Sequence, residues 1–145
     1  MTTDKSKTLR ASVKLLNEKL HLEGKVDANE PVSIDYTPPL GDNMGYTSLE
    51  LFLLSLSSCA GSAILVLLRK LNKQIDQFQI NSVGNRKENH PTGLTTISMQ
   101  VNIKAAGVNS TDMDKVLEKI EAICPVLSML DKSVKTTFIL NRWIA

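Results

Sequence analysis

The sequence predicts an α+β domain with helices packed on a mostly antiparallel sheet, on three observations. Stretches that alternate apolar and polar residues open the chain, recur past its middle and close it; two stretches carry helical spacing; and loops rich in Pro, Gly and Asn stand between them. The resulting order, βββ-α-ββ-α-β, is that of helices laid on sheet rather than of alternating βα units. The chain of 145 residues fits one domain, residues 1–145, since domains commonly run about 100–150 residues.

Each element has its own justification. In TLRASVKLL, Leu9, Ala11, Val13 and Leu15 share one face; KLHLEGKV continues with Leu20 and Leu22, and DANE makes a turn. VSIDY alternates Val32, Ile34 and Tyr36, after which TPPLGDNMGY is a loop because Pro38, Pro39, Gly41 and Gly45 break both helix and strand. A long helix follows over about Ser48 to Asn72. IDQFQINSV and LTTISMQVNIKA form a strand pair around the polar loop GNRKENHPTG. From about Thr111, Met113, Val116, Leu117, Ile120 and Ile123 give the i, i+3, i+4, i+7 stripe of a second helix, interrupted at Pro125. SVKTTFILNRWI closes the chain as a strand with Val134, Thr136, Phe138 and Leu140 on one face.

Composition narrows the function. Apolar residues at 42% and charged residues at 22% are those of an ordinary globular protein. The net charge of +2, from 17 basic and 15 acidic residues with no basic block and 4% aromatics, argues against a nucleic-acid partner. The polar N-terminal stretch MTTDKSKTLRASVK has no apolar run, and the expectation is a cytoplasmic protein. Two distant cysteines make no disulfide framework and no Cys-x-x-Cys cluster, and His21 and His90 lack the spacing of ligands on one helix face. No metal and no bound cofactor is expected, which leaves thiol chemistry as the question.

Within TSLELFLLSLSSCAGSAILVLLRK, Thr47 to Lys70, the span Leu49 to Leu68 is twenty residues long, about the length needed to cross a bilayer. Glu50, the serines at 55, 57, 58 and 62, and strand patterns on both sides favour instead a buried helix of a soluble protein, with surplus apolar surface that suggests a second subunit. On this helix Cys59 lies on a stripe with Phe52, Ser55, Leu56, Ser62, Ala63 and Val66. Such a cysteine is either a small core residue, as free cysteines commonly are, or a reactive thiol. Glu50 is either a base or part of a capping box, because Thr47-Ser48-Leu49-Glu50 spells T-x-x-E at a helix start. Nine positions at about 100° each place Glu50 roughly opposite Cys59 on a straight helix, which favours the cap.

In EAICPVLSML, Pro125 suits the first position of a new helix, which makes Cys124 its N-cap. A thiol there faces the positive end of the helix dipole and acquires thiolate character. Alternatively, Cys124 extends the stripe of Leu117, Ile120 and Ile123 into the core.

Together, LELFLLSLSSC and the downstream ICPVLSML followed by VKTTFIL resemble the superfamily of osmotically inducible protein C (OsmC) and organic hydroperoxide resistance protein (Ohr), and LEGKV and VSIDYTPPLG extend the resemblance over nearly the whole chain. The resemblance implies an antiparallel sheet around two long helices and an intertwined homodimer with active sites at the subunit interface. It further implies that Cys59 attacks an organic hydroperoxide, that Cys124 resolves the product as a disulfide, and that an external dithiol reduces it. The chain departs from the peroxidase pattern twice. Where those enzymes carry an arginine, KLHLEGK has His21 and Leu22, with Lys19, Lys25 and Arg10 as the other cations of this region; the acidic partner of that arginine falls on Leu49, and Glu50 is one place late, as in the OsmC-like branch. The function expected is an OsmC-like thiol peroxidase, and the alternative is a non-enzymatic dimer that binds an apolar ligand or senses redox state.

Overall fold

A computed structural model describes residues 4–142. Trp143 and Ile144, assigned above to the last strand, and Met1 to Thr3 of the polar N-terminal stretch lie outside the described residues. Contacts group the chain into two compact units, Met1–Leu51 and Phe52–Ala145.

The first unit holds strands β1 (Ser12–Leu15), β2 (Leu22–Lys25) and β3 (Val32–Ile34), an antiparallel sheet in the order β1-β2-β3. Val13 faces Gly24, and Leu22 faces Ile34. The first strand begins later than its alternation suggests, at Ser12, and it ends where Asn17 starts a turn: its Oδ1 accepts the backbone N–H groups of Lys19 and His21, 3.0 and 3.1 Å away. The predicted face is present but uncovered, with Leu9, Val13 and Leu15 exposed. The loop after β3 is tied by Asp35, only 1% exposed, whose carboxylate accepts N–H groups from Tyr36 at 2.7 Å and from Asp42 and Met44 at 3.1 Å. Sequence reading left this residue inside a strand pattern; its signal is an aspartate just ahead of a Pro/Gly loop, the usual place for an Asx-type turn. Gly41 is required there, since a Cβ would collide with the Asp35 carboxylate and the Tyr36 carbonyl.

Helix α1 (Ser48–Lys70) starts where Thr47 and Glu50 cap it and stops two residues before the predicted end. Asn72 adopts φ 58°, a left-handed conformation asparagine tolerates, so the Asn72 and Lys73 N–H groups return to the carbonyls of Arg69 and Leu68 and close the helix.

In the second unit, β4 (Gln74–Arg86) and β5 (Leu94–Ala106) form a long antiparallel hairpin. The strand runs into the loop expected to begin at Gly84, because Asn85 Nδ2 donates to Thr96 Oγ1 and the Arg86 guanidinium to the Thr92 carbonyl. Helix α2 (Ser110–Ile123) begins at a full capping box in which Asn109 and Asp112 exchange side-chain and backbone bonds. Lys73 holds both ends of this corner, donating to the Gly107 carbonyl at 2.6 Å and pairing with Asp112 at 3.3 Å. A four-residue helix α3 (Pro125–Ser128) follows, then β6 (Lys135–Arg142). The sheet order is β4-β5-β6, and β6 runs parallel to β5, so the sheet is mixed. The reason is the connection: a helical crossover, unlike a tight turn, delivers the chain back in the same direction.

The core of this unit is made by Leu56, Ala60, Ile64 and Leu68 of α1, Ile97, Met99, Val101 and Ile103 of β5, and Met113, Val116 and Ile120 of α2, all buried. Gly61 lets α1 approach β4, because a Cβ would lie 3.1 Å from the Phe78 ring and 3.4 Å from Ile80.

Candidate functional site: a thiol pair

Cys59 sits in the middle of α1, one residue before the buried Ala60 and Gly61. Its side chain is half-buried, whereas Ser58 on one side is exposed. Cys124 is both the C-cap of α2 and the N-cap of α3. Its N–H bonds the Ile120 carbonyl at 2.8 Å and its carbonyl accepts from Ser128 at 3.0 Å, so two helix ends fix its backbone. Pro125 imposes this junction: it occupies the first position of α3, where its missing N–H costs nothing, and it cannot continue α2.

That junction aims the Cys124 side chain at the first helix. The two sulfurs lie 2.9 Å apart, with Cys124 Sγ donating to Cys59 Sγ, and both cysteines are free thiols. Elsewhere on α1, Ser57 Oγ and Ser82 Oγ share a hydrogen bond that joins the helix to β4. The structure thus brings together two of the three residues singled out from sequence.

Glu50 is held in the other reading weighed for it. Its Oε1 accepts the Thr47 N–H at 2.9 Å and Thr47 Oγ1 accepts the Glu50 N–H at 3.3 Å, a closed capping box. The bond from the Thr47 backbone holds the Glu50 carboxyl below the usual carboxylate range.

The thiolate character expected of Cys124 is corrected. Burial is the largest influence on this thiol and pushes its pKa up; the hydrogen bond to Cys59 adds to that, and the α3 amides of Leu127 and Val126, which pull the other way, are outweighed. The residue is 1% exposed, so a charge on it loses more solvation than one turn of amides returns. Cys124 does extend the buried stripe of Met113, Val116 and Ile120 into the core, one turn beyond Ile120, whereas Ile123, which was counted in that stripe, is exposed.

In the first unit, two of the cations of the KLHLEGK region, Lys19 and His21, have local partners. Lys19 pairs with Asp42 at 2.6 Å, and His21 Nε2 is 2.8 Å from Ser33 Oγ. Since that hydroxyl gives its own proton to the Met44 carbonyl, His21 donates from Nε2. Arg10 lines a cavity of about 300 Å³ with Leu9, Ala11 and Val26. In the second unit a cavity of about 610 Å³ lies among Leu117, Ile120, Leu127, Leu130, Val134 and Phe138, and neither cysteine lines it. Its volume suits a small ligand, but the thiol pair is a separate place, and the chemistry follows the sulfurs. Among the described residues, no group of three or more His, Cys, Asp or Glu is arranged to hold a metal ion.

A protein-family profile described as OsmC-like protein matches residues 41–138. The chain belongs to the OsmC-like protein family. Solved structures agree in fold. An OsmC-like protein from Mycoplasma pneumoniae superposes with a TM-score of 0.81 at 18% identity, covering 95% of this chain and 99% of that one. An OsmC-like protein of unknown function from Vibrio cholerae gives 0.81 at 15% identity over 93% and 99% of the two chains. The organic hydroperoxide resistance protein OhrB of Bacillus subtilis gives 0.69 at 16% identity over 92% and 98%. No curated protein matches the chain.

Proposed function

We propose that this OsmC-like protein is a thiol-dependent peroxidase for organic hydroperoxides, acting as a cytoplasmic homodimer. The observation that carries the reading is the 2.9 Å separation of the Cys59 and Cys124 sulfurs, residues that a packing role alone gives no reason to pair. The organic hydroperoxide resistance proteins among the structural neighbours support the substrate class.

In this reading the Cys59 thiolate attacks the terminal oxygen of ROOH. An S–O bond forms, the O–O bond breaks, and the alkoxide takes a proton to leave as ROH. The sulfenic acid on Cys59 then condenses with the Cys124 thiol, forming the disulfide and releasing water. An external dithiol exchanges with this disulfide, restoring both thiols and becoming a disulfide itself. Cys59 is the nucleophile because it is the less buried of the two, and Cys124 is the resolver because it keeps its proton until the sulfenic acid is beside it. Glu50 serves the start of the helix that carries Cys59.

Stopped-flow mixing of reduced protein with peroxide tests the reading. Cumene hydroperoxide is expected to consume Cys59 faster than hydrogen peroxide does, since burial of an apolar tail contributes roughly 25 cal/mol per Å², and mass spectrometry is expected to find a Cys59–Cys124 disulfide. Absence of thiol loss with either peroxide at neutral pH would move the assignment to the second reading, a binding protein. The observation that favours that reading is the 610 Å³ cavity, which is lined without either thiol.

A further inference from the structure

The pair has a polarity that the resolving role does not require. The backbone N–H and carbonyl of Cys124 are taken by Ile120 and Ser128. Among the described residues, the acceptor hydrogen-bonded to the Cys124 S–H is the sulfur of Cys59. Of the two thiols in contact, Cys124 is the buried member, where a charge would lose the more solvation, and Cys59 is half-buried. Ionisation of both is opposed by the repulsion of two like charges at 2.9 Å. The arrangement that satisfies burial, hydrogen bonding and charge is therefore S–H of Cys124 donating to a negative sulfur on Cys59. Cys124 Sγ, hydrogen-bonded to Cys59 Sγ, is placed to stabilise that charge.

We infer that Cys124, before any disulfide forms, acts as the hydrogen-bond donor that stabilises the Cys59 thiolate. This rests on the peroxidase reading and deepens it: Cys124 positions the charge in the first step and is consumed as resolver in the second. The Cys124–Pro125 junction then has a physical purpose, since it holds the donor's backbone by two helix ends.

Three substitutions separate donor from resolver. Cys124→Ala and Cys124→Val remove the donor, the second with less loss of volume; Cys124→Ser keeps a donor but forms no disulfide. Turnover is lost in all three, so the measured quantity is the first step alone: sulfenic acid formation on Cys59 under single-turnover mixing with cumene hydroperoxide, trapped by dimedone. The expected result is a slowing of about tenfold or more in the Ala and Val variants, the size of a hydrogen bond to a charged group, and recovery to near the parent rate in Cys124→Ser. Iodoacetamide alkylation of Cys59 is expected to follow the same order, and it reads the thiolate even if no peroxide proves to be a substrate. Equal first-step and alkylation rates in all four proteins overturn the inference and leave Cys124 as resolver only. A Ser variant as slow as Ala also overturns it, because the requirement is then for sulfur and not for a donor. Failure of the parent protein to react with any peroxide, with the alkylation order intact, removes the peroxidase reading while the hydrogen bond stands.

Discussion

Asp35 illustrates how one side chain organises a loop that propensity describes only as irregular. Burial is the strongest single influence on its carboxyl and opposes ionisation, but the N–H groups of Met44, Asp42 and Tyr36, with the charge of His21, together outweigh it and hold the pKa below its ordinary value of 3.8. A carboxylate whose pKa is lower folded than unfolded contributes stability above the unfolded value and loses it as pH falls through the folded one. Asp35→Asn, which turns one acceptor oxygen into a donor, is therefore expected to lower Tm at pH 7 and to approach the parent protein as both are taken below about pH 4. Thermal melts across that range check it, and an undiminished difference at the acid end refutes the account. Glu50 was readable in advance, because a capping box needs residues three apart. The three partners of Asp35 were not, because they lie across a loop whose path no spacing rule specifies.

Among the elements, α1 governs the placement of Cys59, and its seat on β4 depends on the absence of a side chain at Gly61. Gly61→Leu puts atoms where the Phe78 ring stands, 3.1 Å from the first of them. Overpacking of a filled core costs about 1–3 kcal/mol, and urea unfolding is expected to show a lower midpoint with an unchanged slope. The helices and the hairpin were legible from periodicity and caps. The direction of β6 was not, since Thr136, Phe138 and Leu140 alternate identically in parallel and antiparallel pairing; the signal available was the helical connection before it, which a parallel neighbour requires.

The apolar surface left uncovered by a single chain bears on the whole molecule. Leu54 and Val66 of α1 are 55% and 46% exposed, and Leu9, Val13 and Leu15 stand out from the first sheet. The length and composition of α1 also satisfy the requirement for a membrane span. A second copy of the chain is the proposed cover. Sedimentation equilibrium is expected to give twice the chain mass, and the paired substitution Leu54→Glu with Val66→Glu is expected to shift the distribution toward one chain; a monomeric parent protein that stays in solution counts against the dimer.

Local order was written along the chain: which segments are strands or helices, where Thr47 and Pro125 begin a helix, and that two cysteines stand in motifs that resemble one superfamily. These properties depend on neighbours a few residues away, so spacing is enough to reveal them. Folding supplied the contact between Sγ atoms that no local rule connects, the inward turn of Cys124, and the burial that raises its pKa. Those depend on desolvation and on distances across the fold, where burial of one sulfur outweighs a helix terminus that the sequence had made the more visible influence.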